Sequence, residues 1–212
     1  MFICRTSRIE FAGNGPRTEH SLQHRLIGLS SLGSTPLLEP SCCTDPVHRQ
    51  NASFFIWLAL HDRCWTAHRR KKRNLQDNDS CILCNQSPET IDHLLVGCPF
   101  SRELWYRIFL RLGWQRLTPD ANVVSLADWW ETARKSISKP DRKSFDSMVI
   151  LTCWHLWKER NRRTFDKKEA TTDVLLSYVS DEAVCWCQAG LGHLKLVAVA
   201  FGSSAGRELA SP

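Results

Sequence analysis

The chain has 212 residues, 42% of them hydrophobic and 24% charged, with nine tryptophans and nine phenylalanines, which suits one domain with an aromatic core and excludes a wholly disordered chain. Its longest apolar run, residues 54–60, is too short to cross a bilayer, and the opening Met1-Phe2-Ile3-Cys4-Arg5 builds no secretory signal, so an intracellular protein without a membrane span is expected. A net charge of +6 permits a phosphate-rich partner, and ten cysteines in a reducing compartment point to metal sooner than to disulfides.

Residues 1–50 carry turn chemistry, as in Gly13-Asn14-Gly15-Pro16, without a sustained period of 2 or 3.6, and read as irregular or disordered sequence, or as foreign to the domain that follows. From Ser53 the pattern changes. Phe54, Leu58, His61 and Trp65 fall at helical spacing and predict a helix over residues 54–65. Five consecutive cations come next, Arg69, Arg70, Lys71, Lys72 and Arg73, then a polar segment and a group of cysteines. Pro99 suits a first helical turn, and Phe100, Leu104, Ile108 and Leu112 form an i, i+4 stripe that Gly113 ends. Further helices are predicted over 126–137, which holds Trp129 and Trp130, over 141–165 and over 172–188, while the tail from Ser203 is expected to fray.

The segment that carries chemistry reads C-x2-C-x8-H-x4-C: Cys81, Cys84, His93 and Cys98. Two cysteines with two residues between them can hold one ion from a single tight turn. Pro88 favours reversal of the chain, so that His93 and Cys98 can complete a tetrahedron. Three thiolates and an imidazole occupy all four positions of a zinc ion, which is the closed, structural kind of site with no place for an activated water. Cys98 stands just before Pro99, where the amides of a helix N-terminus favour a thiolate. One structural zinc ion is the expected cofactor. Other cysteines are read as packed: a second metal site from His61, Cys64 and His68 is disfavoured, Cys153 with His155 and Cys185 with Cys187 and His193 lack complementary ligands, and the adjacent Cys42 and Cys43 cannot share a ligand turn.

The fold class expected is mainly α, a small helical domain organised around a Cys3His zinc knuckle with irregular N- and C-terminal tails. Its division is 1–50 irregular, 51–115 the zinc-binding domain of helix, basic run, knuckle and helix, 116–190 a Trp-rich helical extension, and 191–212 a tail.

These residues resemble the zinc-binding domain that follows reverse transcriptase in plant non-LTR (LINE-type) retrotransposons. The likeness is carried by residues 54–66, by Cys81, Cys84, His93-Leu94-Leu95 and Cys98, by Trp105, and by Trp154-His155-Leu156-Trp157-Lys158-Glu159-Arg160-Asn161 with Phe165. The resemblance implies the same four zinc ligands and a module that accompanies a polymerase acting on nucleic acid. It departs from the family in its lead-in, Pro46-Val47-His48-Arg49-Gln50, and in a denser basic run.

Catalysis by this chain is not expected: no Tyr-x-Asp-Asp, no Asp-Asp pair and no phosphate-cradling G-x-x-x-x-G-K-[ST] loop occurs, and Gly202-Ser203-Ser204-Ala205-Gly206 fits a nucleophile elbow only formally. No Lys or Arg stands between Asn74 and Ser101, so a zinc knuckle with three thiolates is electronegative and repels phosphate. Nucleic acid, RNA or DNA, is the expected partner, held by flanking cations: Arg69, Arg70, Lys71, Lys72 and Arg73, then Arg107 and Arg111, then Lys158, Arg160, Arg162 and Arg163. No small-molecule substrate is expected. The same basic run reads as a nuclear-import signal or a solvated face, and the alternatives to nucleic-acid binding are a structural or protein-interaction module packed on a reverse transcriptase, and an inactive retroelement relic.

Overall fold

The computed structural model describes residues 46–205, and the fold is given for those. They form seven helices: α1 Pro46–Leu60, α2 Ala67–Lys72, α3 Pro99–Leu112, α4 Leu126–Ser136, α5 Arg142–Asn161, α6 Thr172–Gln188 and α7 Lys195–Ala205. Among the described residues the nearest approach to a sheet is an isolated antiparallel bridge between Ser80 and Pro88. The class is mainly α, as the periodicity predicts. No helix of the described residues is long and apolar enough to cross a membrane. Residues 1–45, with Cys42 and Cys43, and residues 206–212 lie outside the description.

The first helix differs from its predicted span at both ends. It begins at Pro46, inside the stretch read as irregular, and stops at Leu60 instead of running to Trp65. Asp62 adopts a left-handed conformation with φ of 48°, the Arg63 amide donates to the Leu58 carbonyl at 2.8 Å and the Asp62 amide to the Ala59 carbonyl at 3.1 Å. This is the hydrogen-bond pattern of a Schellman C-cap, with aspartate where glycine is usual, so sequence pattern gives little notice of it. The buried face is also rotated from the predicted one: Ala52, Phe55, Ile56 and Ala59 are buried, whereas Phe54 and Trp57 are 47% and 53% exposed.

The helix α3 matches its predicted limits. Pro99 opens it and Gly113, at φ of 72°, closes it in the left-handed region that glycine enters without steric cost. Leu104 and Ile108 of the predicted stripe are fully buried, joined by Trp105 and Phe109. Trp105 lies 5.0 Å from Trp129 of α4 between ring centroids, and Phe109 lies 5.9 Å from Phe145 of α5. These tilted contacts make one aromatic core that is continuous across residues 115 and 116. Trp154 and Trp157, on α5, pack against Phe55 of α1 at 5.6 and 5.3 Å.

Two further features depart from expectation. Over 141–165 the helix is α-helical only to Asn161; Arg162–Asp166 widen into a π-helical turn that Lys167 ends at φ of 55°. Residues 191–212, expected as a tail, include α7, whose Val197 and Phe201 are buried beside α6. The last Ser/Gly/Ala stretch masked that helix because its composition reads as loop, while the apolar residues at i and i+4 supply the buried face.

Charged groups are used inside the fold as well as on it. Glu89, 1% exposed, accepts from Arg160 Nε at 2.9 Å and Nη2 at 2.7 Å, and from the Ala67 amide at 2.8 Å. Glu159, equally buried, accepts from Arg163 Nε at 2.8 Å and the Ala170 amide at 2.8 Å, and pairs with Arg162. Between α5 and α6, His155 Nε2 lies 2.8 Å from Glu182 Oε2, and Lys158 donates to the same oxygen. Burial pushes the His155 imidazole down to about 4, so it meets Glu182 as a neutral hydrogen-bond donor.

Removing one partner of a buried ion pair strands the other charge. Arg160→Ala is therefore expected to lower unfolding stability by about 3–5 kcal/mol, read by urea denaturation, whereas Arg107→Ala, whose pairing with Glu103 is exposed, is expected to cost less than about 1 kcal/mol.

Candidate metal centre

The knuckle is built on backbone turns. Cys81 donates its amide to the Ser87 carbonyl at 2.8 Å and Glu89 donates to Asp79 at 2.7 Å, flanking the Ser80–Pro88 bridge, so the reversal expected near Pro88 is present. Asn85, at φ of 56°, turns the chain immediately after Cys84, and its amide donates to the Cys81 carbonyl at 2.7 Å. That turn points both thiols the same way. The Gln86 amide then donates to Cys84 Sγ at 3.5 Å.

The other two donors come from a π-helical turn, His93–Gly97, that leads into α3. The Cys98 amide donates to the His93 carbonyl, and the His93 amide donates to Thr90 Oγ1 at 3.0 Å. Ser101 Oγ donates to the Leu94 carbonyl at 2.6 Å and Trp105 Nε1 to the Leu95 carbonyl at 2.8 Å, which fasten α3 back onto the turn. The wide turn puts His93 and Cys98 on one side, an arrangement that a regular α-helical step of five residues would not give. Gly97 needs no left-handed backbone here; a Cβ at that position would sit 3.5 Å from His93 Nδ1.

All four ligand atoms of Cys81, Cys84, His93 and Cys98 lie within 4.8 Å of one another. Cys81 Sγ and Cys98 Sγ are 4.0 Å apart, and Cys84 Sγ and His93 Nε2 are 3.3 Å apart. A tetrahedral zinc with Zn–S of ~2.3 Å and Zn–N of ~2.0 Å requires edges of about 3.5–3.8 Å, so the donor set fits that ion. Cys81 and Cys98 are buried and Cys84 is half-buried, which shields the centre from water. The Cys98 thiol is held well below its ordinary value, first by the hydrogen bond from Cys81 and then by His93 and the amides of Ser101 and Phe100 at the start of α3, against the opposing effect of burial. The helix-end amides expected to favour a thiolate before Pro99 thus contribute, but less than the Cys81 hydrogen bond does.

Residues 45–105 match the family described as zinc-binding in reverse transcriptase. That span takes in α1, α2, the whole knuckle and the start of α3. The chain is also 24% identical over 140 residues to a protein of Arabidopsis thaliana provisionally named as a ribonuclease H protein, an alignment that covers 66% of this chain and 22% of that relative. The chain therefore spans about a fifth of the length of that relative. No solved structure matches the chain. Together the matched span and the Cys3His set mark a zinc-binding domain similar to that of this family, with zinc as its metal.

The cations named from sequence fare differently. Arg69, Arg70, Lys71 and Lys72 form most of α2 and Arg73 is its C-cap; the first turn is capped by Thr66 Oγ1, accepting from the Arg69 amide at 3.3 Å. Arg69 and Arg73 lie over the Trp65 ring at 5.8 and 4.9 Å, and Lys71 pairs with Asp79 at 2.9 Å. Arg70 and Lys72 make no ion pair among the described residues. Arg107 bridges Glu103 and Asp173, and Arg111 is exposed on α3. Arg160 and Arg163 are held in ion pairs with the buried Glu89 and Glu159, at 2.7 and 2.8 Å. Arg162 shares Glu159, and Lys158 pairs with Glu182. The acidic partners lie far away in sequence or on an adjacent helical turn, so a count of cations alone could not reveal them.

His61, Cys64 and His68 do not converge: His61 Nδ1 meets the Trp57 carbonyl at 2.8 Å, His68 Nδ1 meets Asp79 at 3.2 Å, and burial pushes the Cys64 thiol up to about 12. The residue that sequence reasoning passed over is Glu89. It sits within the eight-residue spacer of the knuckle, and its only sequence signal is a carboxylate among turn residues.

The purified chain is expected to hold one zinc per molecule by elemental analysis, and a Cys84→Ser/His93→Ala variant to hold none. Because ligand binding in such centres is coupled to folding, chelation of the wild type is expected to lower its melting temperature by ten degrees or more, roughly the shift of a few kcal/mol lost in a domain of this size.

Proposed function

We propose that the chain is a non-catalytic zinc-binding module of a retrotransposon reverse-transcriptase polyprotein and that it binds nucleic acid through cations outside the knuckle. The observation that carries this reading is the segregation of charge around the metal centre. The knuckle carries Asp77, Asp79, Glu89 and Asp92 and no Lys or Arg, Glu89 being buried against Arg160 and Asp79 paired with Lys71. Directly beside it, α2 concentrates four cations in six residues, with Arg73 as a fifth at its C-cap, and is tied to the knuckle by the Ala67 amide on Glu89 and by Lys71 on Asp79. A cleft of about 340 Å³ lies between them, lined by His68, Arg69, Lys72 and Arg73 on one side and by Thr90, Ile91 and Asp92 on the other.

The division of labour follows from these positions. The zinc fixes the knuckle, the knuckle fixes the start of α2 through Glu89, and α2 presents charge to phosphate. Such contacts position a backbone and carry no base code, so binding is weakly sequence-specific and strongly salt-dependent. A donor set that fills all four zinc positions leaves no site for activated water, which supports the non-catalytic reading. The basic run also supports nuclear import as a property of the same helix. A second reading, a protein-interaction module that packs on a polymerase, is favoured by the exposed apolar side chains of α1, Phe54, Trp57 and Leu60.

Random-sequence RNA binding measured across a salt series separates the two. The slope of log K against log salt is expected to fall in magnitude by about 0.7 for each single-strand phosphate that is no longer neutralised once Arg70 and Lys72 are replaced by alanine. An unchanged slope removes α2 from the interface, and absence of binding together with self-association favours the second reading.

A further inference from the structure

The outer face of α1 and the residue that follows it carry three neighbouring rings, the first two stacked and the third tilted against them. Phe54 and Trp57 are 6.2 Å apart between centroids with 14° between their planes, and Trp57 and His61 are 4.6 Å apart at 33°. All three residues are exposed. His61 is held in place by its Nδ1 contact with the Trp57 carbonyl, so the ladder ends on a fixed ring and not a swinging one. The interior of the protein makes no use of this face, because Phe55, Ile56 and Ala59 on the opposite side do the packing.

The ladder is continuous with the cations. Asp62 follows His61, and the Arg69 guanidinium donates to the Asp62 carbonyl and lies 3.6 Å from its carboxylate. Arg69 is in turn over Trp65, which it shares with Arg73. Arg49 and Arg63, which flank Phe54 and His61 in the sequence, are exposed. A purely apolar partner would find this rim of guanidinium groups costly to desolvate. Unpaired bases beside a phosphate backbone match it on both counts, since flat π faces take bases and the cations take phosphates.

We propose that Phe54, Trp57 and His61 form a base-stacking platform for single-stranded nucleic acid, with α2 holding the backbone that enters or leaves it. The proposal rests on the nucleic-acid reading of α2 and adds strand preference to it: a duplex can use the cations but cannot offer its stacked bases to the rings. The platform accepts any base, because every base has a π face.

The test compares the zinc-loaded full chain with a Phe54→Ala/Trp57→Ala variant, by fluorescence anisotropy with a labelled 20-nucleotide oligouridine and with a duplex RNA of the same length. Both side chains are half exposed, so the variant is expected to keep its helical circular dichroism and its zinc. Single-strand affinity is expected to fall by about tenfold or more while duplex affinity and the salt slope change less than twofold, and Trp57→Tyr is expected to restore most of that affinity. Single-strand affinity within twofold of wild type, or an equal fall for both ligands, overturns the platform; if that variant instead loses self-association, the face is a protein interface. Failure of the wild type to bind either ligand overturns the reading of α2, and the platform with it, and so is distinguishable from failure of the platform alone.

Discussion

Four side chains directed at one point hold the centre of this molecule together. Between Asn74 and Thr90 the chain is almost entirely polar turn, and Cys81 and Leu83 are its only buried apolar residues. Such a segment cannot bury enough apolar surface to offset the entropy of ordering its backbone. Convergence of Cys81, Cys84, His93 and Cys98 onto one ion supplies the missing free energy, because a site that forms only in the folded state lends its binding energy to folding. The π-helical turn and the N-terminus of α3 are then fixed by the same ligands, and through Trp105 the order reaches the aromatic core that α3, α4 and α5 share.

The second tie is electrostatic and has a different purpose. Glu89 receives Arg160 from α5 and the Ala67 amide from α2, so a single carboxylate in the knuckle sets the position of a long core helix and of the short basic one. Desolvating an ion pair costs about what its attraction returns, and such a pair contributes more to geometry than to net stability. Here the geometry is consequential: α2 has six residues, too few to be stable alone, and its direction depends on Thr66 and Glu89. A cationic surface is thereby held beside an anionic metal centre without collapsing onto it.

Much of this was legible from residues alone, for reasons that differ by element. The limits of α3 follow from Pro99 and Gly113, two residues whose backbone preferences are strong enough to survive any tertiary context. The metal centre follows from the spacing of soft ligands, which few other demands produce. What escaped notice lacked such a signal. Asp62 ends α1 in a conformation usually given to glycine, so the helix stops before Trp65. The Ser/Gly/Ala stretch that follows Phe201 concealed α7. Arg160 and Arg163 look like surface cations in one dimension, and only folding brings Glu89 and Glu159 to them.

The account stands or falls on the identity and geometry of the donors. X-ray absorption at the zinc edge of the purified chain reports them directly. It is expected to show a four-coordinate ion with three sulfurs at ~2.3 Å and one nitrogen at ~2.0 Å. A shell dominated by oxygen or water, or a sulfur count of two or fewer, would contradict it.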